Sequence, residues 1–158
     1  MNKVSIRKYL AVRYASHLAK RLHRQQKDKG GNDYFRSHLK IVAQKGNNYL
    51  EKIVGYLHDT AEDTDYTVYD IIYRLKFLNK NEKRHIKDAL ILLNNNTKNR
   101  KEYIDAIIDS EDDLTINTKL HDLESNMDVS RIQNISDKDY NRTINYLKEY
   151  LKIKKAIK

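Results

Sequence analysis

The stretch Gly55-Tyr56-Leu57-His58-Asp59-Thr60-Ala61-Glu62-Asp63-Thr64 holds four side chains able to bind a metal or carry a proton. His58 and Asp59 are adjacent and close an apolar run through Ile53, Val54 and Leu57. Glu62 and Asp63 follow one turn later. Residues four apart on a helix share a face, so Glu62 is expected below His58 and Asp63 below Asp59. Charges at the end of an apolar run need partners or a cation once buried. A divalent metal meets that need for a His-Asp pair.

Of the histidines at 17, 23, 38, 58, 85 and 121, His38 gains most from its surroundings. It precedes Leu39, Ile41, Val42 and Ala43 on an amphipathic segment. Packing that segment on the one carrying His58 would set two imidazoles beside Asp59. Downstream, Ile116 to Met127 supplies Asp122, with Lys119 three residues before it and Asn126 four after. One helical face thus offers a carboxylate, an amide and an ammonium. His121 points about 100° away, towards a supporting or solvent-facing position.

Two imidazoles and two carboxylates make a nitrogen and oxygen site without sulfur, suited to manganese, iron or zinc. Open positions on such a metal hold a water and lower its pKa, giving a nucleophile at neutral pH. Glu62 and Asp63 would stay off the metal, free to orient that water or move its proton. The chemistry is hydrolysis of an electrophile with charged oxygens, and phosphate esters fit it.

The elements that must position these residues are helical. There is no proline and there are four glycines among 158 residues, with many Leu, Ile, Lys and Tyr. A long helix over 5–27 carries the stripe Tyr9, Leu10, Val12, Ala15, Leu18, Ala19 and Leu22. It stops at Lys29-Gly30-Gly31-Asn32-Asp33. A second helix is expected over 33–44, and a third over 49–62 beyond Gly46-Asn47-Asn48. Thr67 reads as the N-cap of a fourth over 68–77. Asn79-Lys80-Asn81 caps a fifth over 82–93, and Asn94-Asn95-Asn96-Thr97 is a polar linker. A sixth spans 99–109, a seventh 111–127, and Ser136 caps the last, which runs to about residue 155. The length fits one domain over 1–158, an all-α single-domain helical bundle.

The formal charge is +9, with lysines at 148, 152, 154, 155 and 158 supplying much of the excess. A basic surface keeps a chain soluble and attracts phosphate. No recognised nucleic-acid module is present, so a small nucleotide is the expected partner rather than nucleic acid. There is no cysteine, the first residues lack the apolar h-region of a signal peptide, and there is no apolar run of about 20 residues. The chain reads as soluble and cytoplasmic, without a membrane partner.

The order His38, His58-Asp59, Asp122 resembles that of the HD-domain metal phosphohydrolases. More narrowly, Leu57-His58-Asp59-Thr60-Ala61-Glu62-Asp63-Thr64 is similar to the signature of the (p)ppGpp hydrolases, which include the SpoT/Rel hydrolase domain and the stand-alone small alarmone hydrolases. Thr118 to Met127 resembles their second segment, and His23 to His38 their opening one. The likeness covers roughly residues 5 to 150. It implies an HD-type bundle with His38, His58, Asp59 and Asp122 as ligands of a divalent metal, usually manganese. Glu62 and Asp63 would form the catalytic acidic pair, Lys29 would meet substrate phosphate or base, and Asn126 would hydrogen-bond the nucleotide. The implied reaction removes the 3′-pyrophosphate of guanosine tetra- or pentaphosphate, and the departure at Asp28 admits an adenosine alarmone or another 3′-phosphorylated nucleotide. The chain departs from the pattern in four places. Asp28 stands where the family has an arginine, and Leu39 where it has a proline. The Tyr34–His38 spacing is one residue longer, and Leu123-Glu124-Ser125 replaces Arg-Leu-His.

Overall fold

The computed structural model describes residues 3–94 and 99–157. Its helices begin where side chains cap them. Asn48 accepts from the N–H groups of Leu50 and Glu51. Thr67, Asn79 and Ser136 each form a capping box, with Asp70, Glu82 and Asp139 respectively. Asp112 accepts from the Thr115 N–H. These caps satisfy first-turn amides that lack a helical partner. The order is α1 (Lys3–Leu22), a π helix (Phe35–Leu39), α2 (Lys40–Lys45), α3 (Tyr49–Leu57), α4 (Thr60–Asp63), α5 (Val68–Arg74), α6 (Lys80–Leu93), α7 (Arg100–Asp109), α8 (Asp113–Met127) and α9 (Asp137–Ala156). Among the described residues there is no strand, only an isolated bridge between Lys27 and Asp33. The fold is all-α. No described helix is long and apolar enough to cross a membrane.

The bundle is built around α3, which packs on α1, α2, α6 and α8. Ile53, Val54 and Leu57 enter one core with Ala11, Ala15 and Leu18 of α1, Ile86 and Leu90 of α6, and Leu123 of α8. At Gly55 a Cβ would lie 2.7 Å from Ala43 Cα and 2.9 Å from Ala43 N. The missing side chain lets the α2 backbone rest directly on α3, and this contact sets the distance between the two histidine-bearing segments.

Several boundaries differ from expectation. The first helix ends at Leu22, because the chain then folds back on itself: the Tyr34 N–H donates to the Gln26 carbonyl and the Asp28 N–H to that of Asn32. The helix expected over 33–44 is divided into a π turn and α2. The one expected over 49–62 is interrupted at His58 and Asp59, with Asp59 at φ −92° and ψ −3°. The fourth helix stops at Arg74, after which Phe77 takes a positive φ of 64°. Residues 95–97 of the expected polar linker lie outside the described residues.

Glu82 ties α6 to α1 and α3. Its carboxylate accepts two 2.7 Å bonds from the Arg7 guanidinium, one of 2.6 Å from the Tyr49 hydroxyl and one of 2.7 Å from the Asn79 N–H. The Arg7 bonds, which outweigh burial, and those from Tyr49 and Asn79 bring the carboxyl down from 4.5 to about 2. The stabilisation is complete above the unfolded value and is lost as pH falls from about 4.5 towards 2. Arg7 is one-third exposed, so solvent screening leaves about 2 kcal/mol at most. Urea midpoints of the unaltered protein should fall through this window, while those of Glu82→Gln stay flatter.

Candidate metal centre

His38 lies on the π helix, His58 and Asp59 in the turn between α3 and α4, and Asp122 on α8. Packing of these elements brings all four together, as the sequence led us to expect. His38 Nε2 is 3.3 Å from His58 Nε2, 3.2 Å from Asp59 Oδ2 and 3.4 Å from Asp122 Oδ1. His58 Nε2 is 3.1 Å from Asp59 Oδ2 and 3.6 Å from Asp122 Oδ1. Ligand bonds of about 2.0–2.2 Å put neighbouring donor atoms about 3.0–3.5 Å apart. His38, His58 and Asp59 form a group able to hold a metal ion, and Asp122 Oδ1 stands beside it.

The donors suit a cation in charge as well as in spacing. The His58 Nδ1–H donates to the Gly55 carbonyl at 3.0 Å, which directs the Nε2 lone pair at the centre. Both imidazoles are buried. Burial pushes the His58 pKa down, but Asp59 and Asp122 outweigh it and raise it to about 10. His38 is raised by the same two carboxylates against the same burial. The pair of acids therefore favours positive charge at this point, which protonated imidazoles or a bound cation could supply.

Supporting bonds hold the carboxylates. The Tyr34 hydroxyl donates to Asp59 Oδ2 at 2.5 Å, and its ring stacks on His38 with centroids 5.1 Å apart. Lys119 Nζ, itself buried, donates to Asp122 Oδ2 at 2.7 Å, and Asn126 Nδ2 donates to Oδ1 at 2.5 Å.

Beside the centre is a cleft of about 190 Å³ lined by Tyr34, Asp59, Glu62, Asp63, Arg100, Lys119, Asp122, Asn126 and Tyr146. Glu62 is raised above the ordinary carboxyl range by partial burial and by the charges of Asp59 and Asp63. Asp63 is fixed by a relay. The His23 Nδ1–H donates to Gln26 Oε1 at 2.6 Å, and Gln26 Nε2 donates to Asp63 Oδ2 at 2.8 Å. His23 Nε2, its other ring nitrogen, lies 3.2 Å from the Thr60 hydroxyl.

Lys29 is not among the residues lining the cleft; its ammonium pairs with Asp139 at the start of α9. Asp28 is turned away too. Burial raises its pKa, but the Asn32 N–H at 2.8 Å and other donors outweigh that and lower it. The sequence reading missed Arg100 and Tyr146. Arg100 makes two bonds to Glu149, of 2.6 and 2.7 Å, and lies over the rings of Tyr103 and Tyr146 at 5.6 and 5.7 Å. Neither residue has a spacing that links it to the His-Asp segments.

No protein-family model matches the chain, and no curated protein matches it.

Proposed function

We propose that this chain is a metal-dependent phosphohydrolase of the HD type that removes the 3′-pyrophosphate of an alarmone nucleotide, (p)ppGpp or (p)ppApp. The observation that carries this reading is the convergence of His38, His58, Asp59 and Asp122 at separations of 3.1 to 3.6 Å on the wall of an acid-lined cleft. The extra residue between Tyr34 and His38 also finds a place, since a π turn takes in one residue more than an α turn.

Manganese is the ion that the resemblance implies, and the nitrogen and oxygen donors suit it. When bound, a divalent ion supplies Lewis acidity to a phosphoryl oxygen and acidifies a water. Glu62, whose carboxyl is raised above its ordinary range by burial and by Asp59 and Asp63, is suited to exchanging a proton with the water. Asp63, held by Gln26, is placed to orient the attacking water. Tyr34, Lys119 and Asn126 keep the ligand carboxylates turned inward. Arg100 lines the cleft, and its Nη1, which takes no part in the pair with Glu149, is a donor that phosphate oxygens could use. The cleft is smaller than the roughly 300 Å³ of an ordinary ligand site, so it takes the reacting phosphates while the nucleoside lies outside. A groove of about 580 Å³ shares Arg100 and Tyr146 with the cleft and adds Lys101, Arg142, Lys148 and Lys152. Negative charge at the substrate's far end would be met there.

The placement of Asp28 favours a second reading. That position offers the base no partner, which suits an HD-type phosphohydrolase acting on other nucleotides. The test is a panel of 3′- and 5′-phosphorylated nucleotides with Mn²⁺, with products identified by mass. Pyrophosphate released from ppGpp or ppApp supports the first reading, and single phosphates from 5′-monophosphates the second. Nucleotide binding without turnover replaces both with a sensor. Exchanging Glu62→Gln together with Asp63→Asn should lower turnover by about 100-fold or more and leave Mn²⁺ bound. Loss of the metal in that variant would make these two residues ligands instead.

A further inference from the structure

Arg131 lies in the connection between α8 and α9 and is not among the residues lining the cleft. Three segments nevertheless meet on it. Its Nη1 donates to the Ser37 carbonyl at 2.5 Å and its Nη2 to the Ser125 carbonyl at 3.2 Å. Its Nε is 3.7 Å from Asp28 Oδ2. A Cβ on Gly30 would fall 2.1 Å from the Arg131 carbonyl oxygen, so the 26–33 turn presses directly on its backbone.

The two carbonyls that it grips are informative. Ser37 precedes His38, and Ser125 carries the hydroxyl lying 3.0 Å from His38 Nδ1. One guanidinium therefore ties together the two backbones whose side chains make the bond behind His38. That bond needs outside support. The Gly55 carbonyl behind His58 only accepts, which fixes that ring's proton on Nδ1. A serine hydroxyl both donates and accepts, so it orients His38 only as well as its own backbone is held. The planar fork of an arginine reaches two carbonyls at a fixed separation; a lysine ammonium has no such fork.

We propose that Arg131 is a positioning residue for the metal centre, holding His38 in line with the other ligands by clamping Ser37 to Ser125. The inference rests on the metal-centre reading above. Removing the partner of a ligating imidazole generally weakens metal affinity by about 10- to 100-fold, and Arg131→Met is expected to do the same at one remove.

The experiment measures Mn²⁺ affinity by calorimetry and metal-free melting temperature for the unaltered protein and for Arg131→Met, Arg131→Lys, Ser125→Ala and the Arg131→Met/Ser125→Ala double variant. The expected result is a loss of about 10- to 100-fold in Arg131→Met, little recovery in Arg131→Lys, and a double variant no weaker than the worse single one, because both act through one ring. Melting lowered with Mn²⁺ affinity unchanged would make Arg131 a structural residue only and overturn the proposal, as would additive losses. Should Arg131→Met fail to fold, Arg131→Lys against Ser125→Ala carries the same comparison. An unaltered protein that binds no Mn²⁺ removes the metal-centre reading and this proposal together. Binding by the unaltered protein that Arg131 variants share in full removes only the positioning role.

Discussion

Asp59→Ala should abolish tight Mn²⁺ binding and, with it, phosphate-ester turnover. Asp59 Oδ2 is the carboxylate oxygen nearest Nε2 of both imidazoles, at 3.2 and 3.1 Å. It also supplies the net charge of the site. The charge of Asp122 is matched locally by Lys119 at 2.7 Å, whereas the groups against Asp59 are the imidazoles and the neutral Tyr34. Without Asp59, the ligand set has no uncompensated negative charge to offer a cation. The loss should therefore exceed the roughly 100-fold expected of a supporting residue. Asp63→Ala is the matched control, since it removes the same charge from the same cleft without touching a ligand. Calorimetric titration with Mn²⁺ checks both. Retention of Mn²⁺ by Asp59→Ala would mean that the ion binds elsewhere, and equal losses in the two variants would make Asp63 a ligand as well.

Gly55→Ala is expected to have the next largest effect, through packing rather than charge. The new methyl would meet Ala43 Cα at 2.7 Å and Ala43 N at 2.9 Å, both backbone atoms with no rotamer to change. α2 must therefore move off α3. Overpacking of this kind generally costs about 1–3 kcal/mol, against about 1 kcal/mol regained from the better helix former. Net destabilisation is modest, but the displacement falls between the segments bearing His38 and His58. Mn²⁺ affinity should drop by about tenfold or more, because a ligand constellation tolerates only about 0.5 Å of error. A thermal melt together with a Mn²⁺ titration separates the two effects. Unchanged affinity would show that α2 accommodates the methyl without moving His38.

The candidate ligand residues were legible because their chemistry is local. An adjacent His and Asp at the end of an apolar run, and an Asp with Lys and Asn on its own face, can each be read within a few residues. Helix starts at Thr67, Asn79 and Ser136 were legible for the same reason, as a cap needs only a side chain and the next turn. The interruption at His58 and Asp59 was not, because apolar spacing runs through it unchanged while the tertiary contacts divide it. Arg100 and Tyr146 reach the cleft only once α7 and α9 have docked. Lys29 was expected at phosphate, but its place is decided by Asp139, which lies 110 residues away along the chain. Asp28 was legible only as a departure from the family's arginine, because its partner Arg131 lies in the distant connection between α8 and α9.

The π helix at 35–39 closes with the Lys40 N–H donating to the Phe35 carbonyl, and Lys40 continues straight into α2. A wide turn of this kind confines a change of chain length to a single loop of backbone. Whatever is added or trimmed ahead of His38 rotates Tyr34 and the residues before it, while α2 keeps its seat on α3. The aromatic edge of the cleft is thus adjustable independently of the imidazole next to it. An insertion ahead of His38 would therefore reshape that edge while leaving the proposed metal ligands where they are.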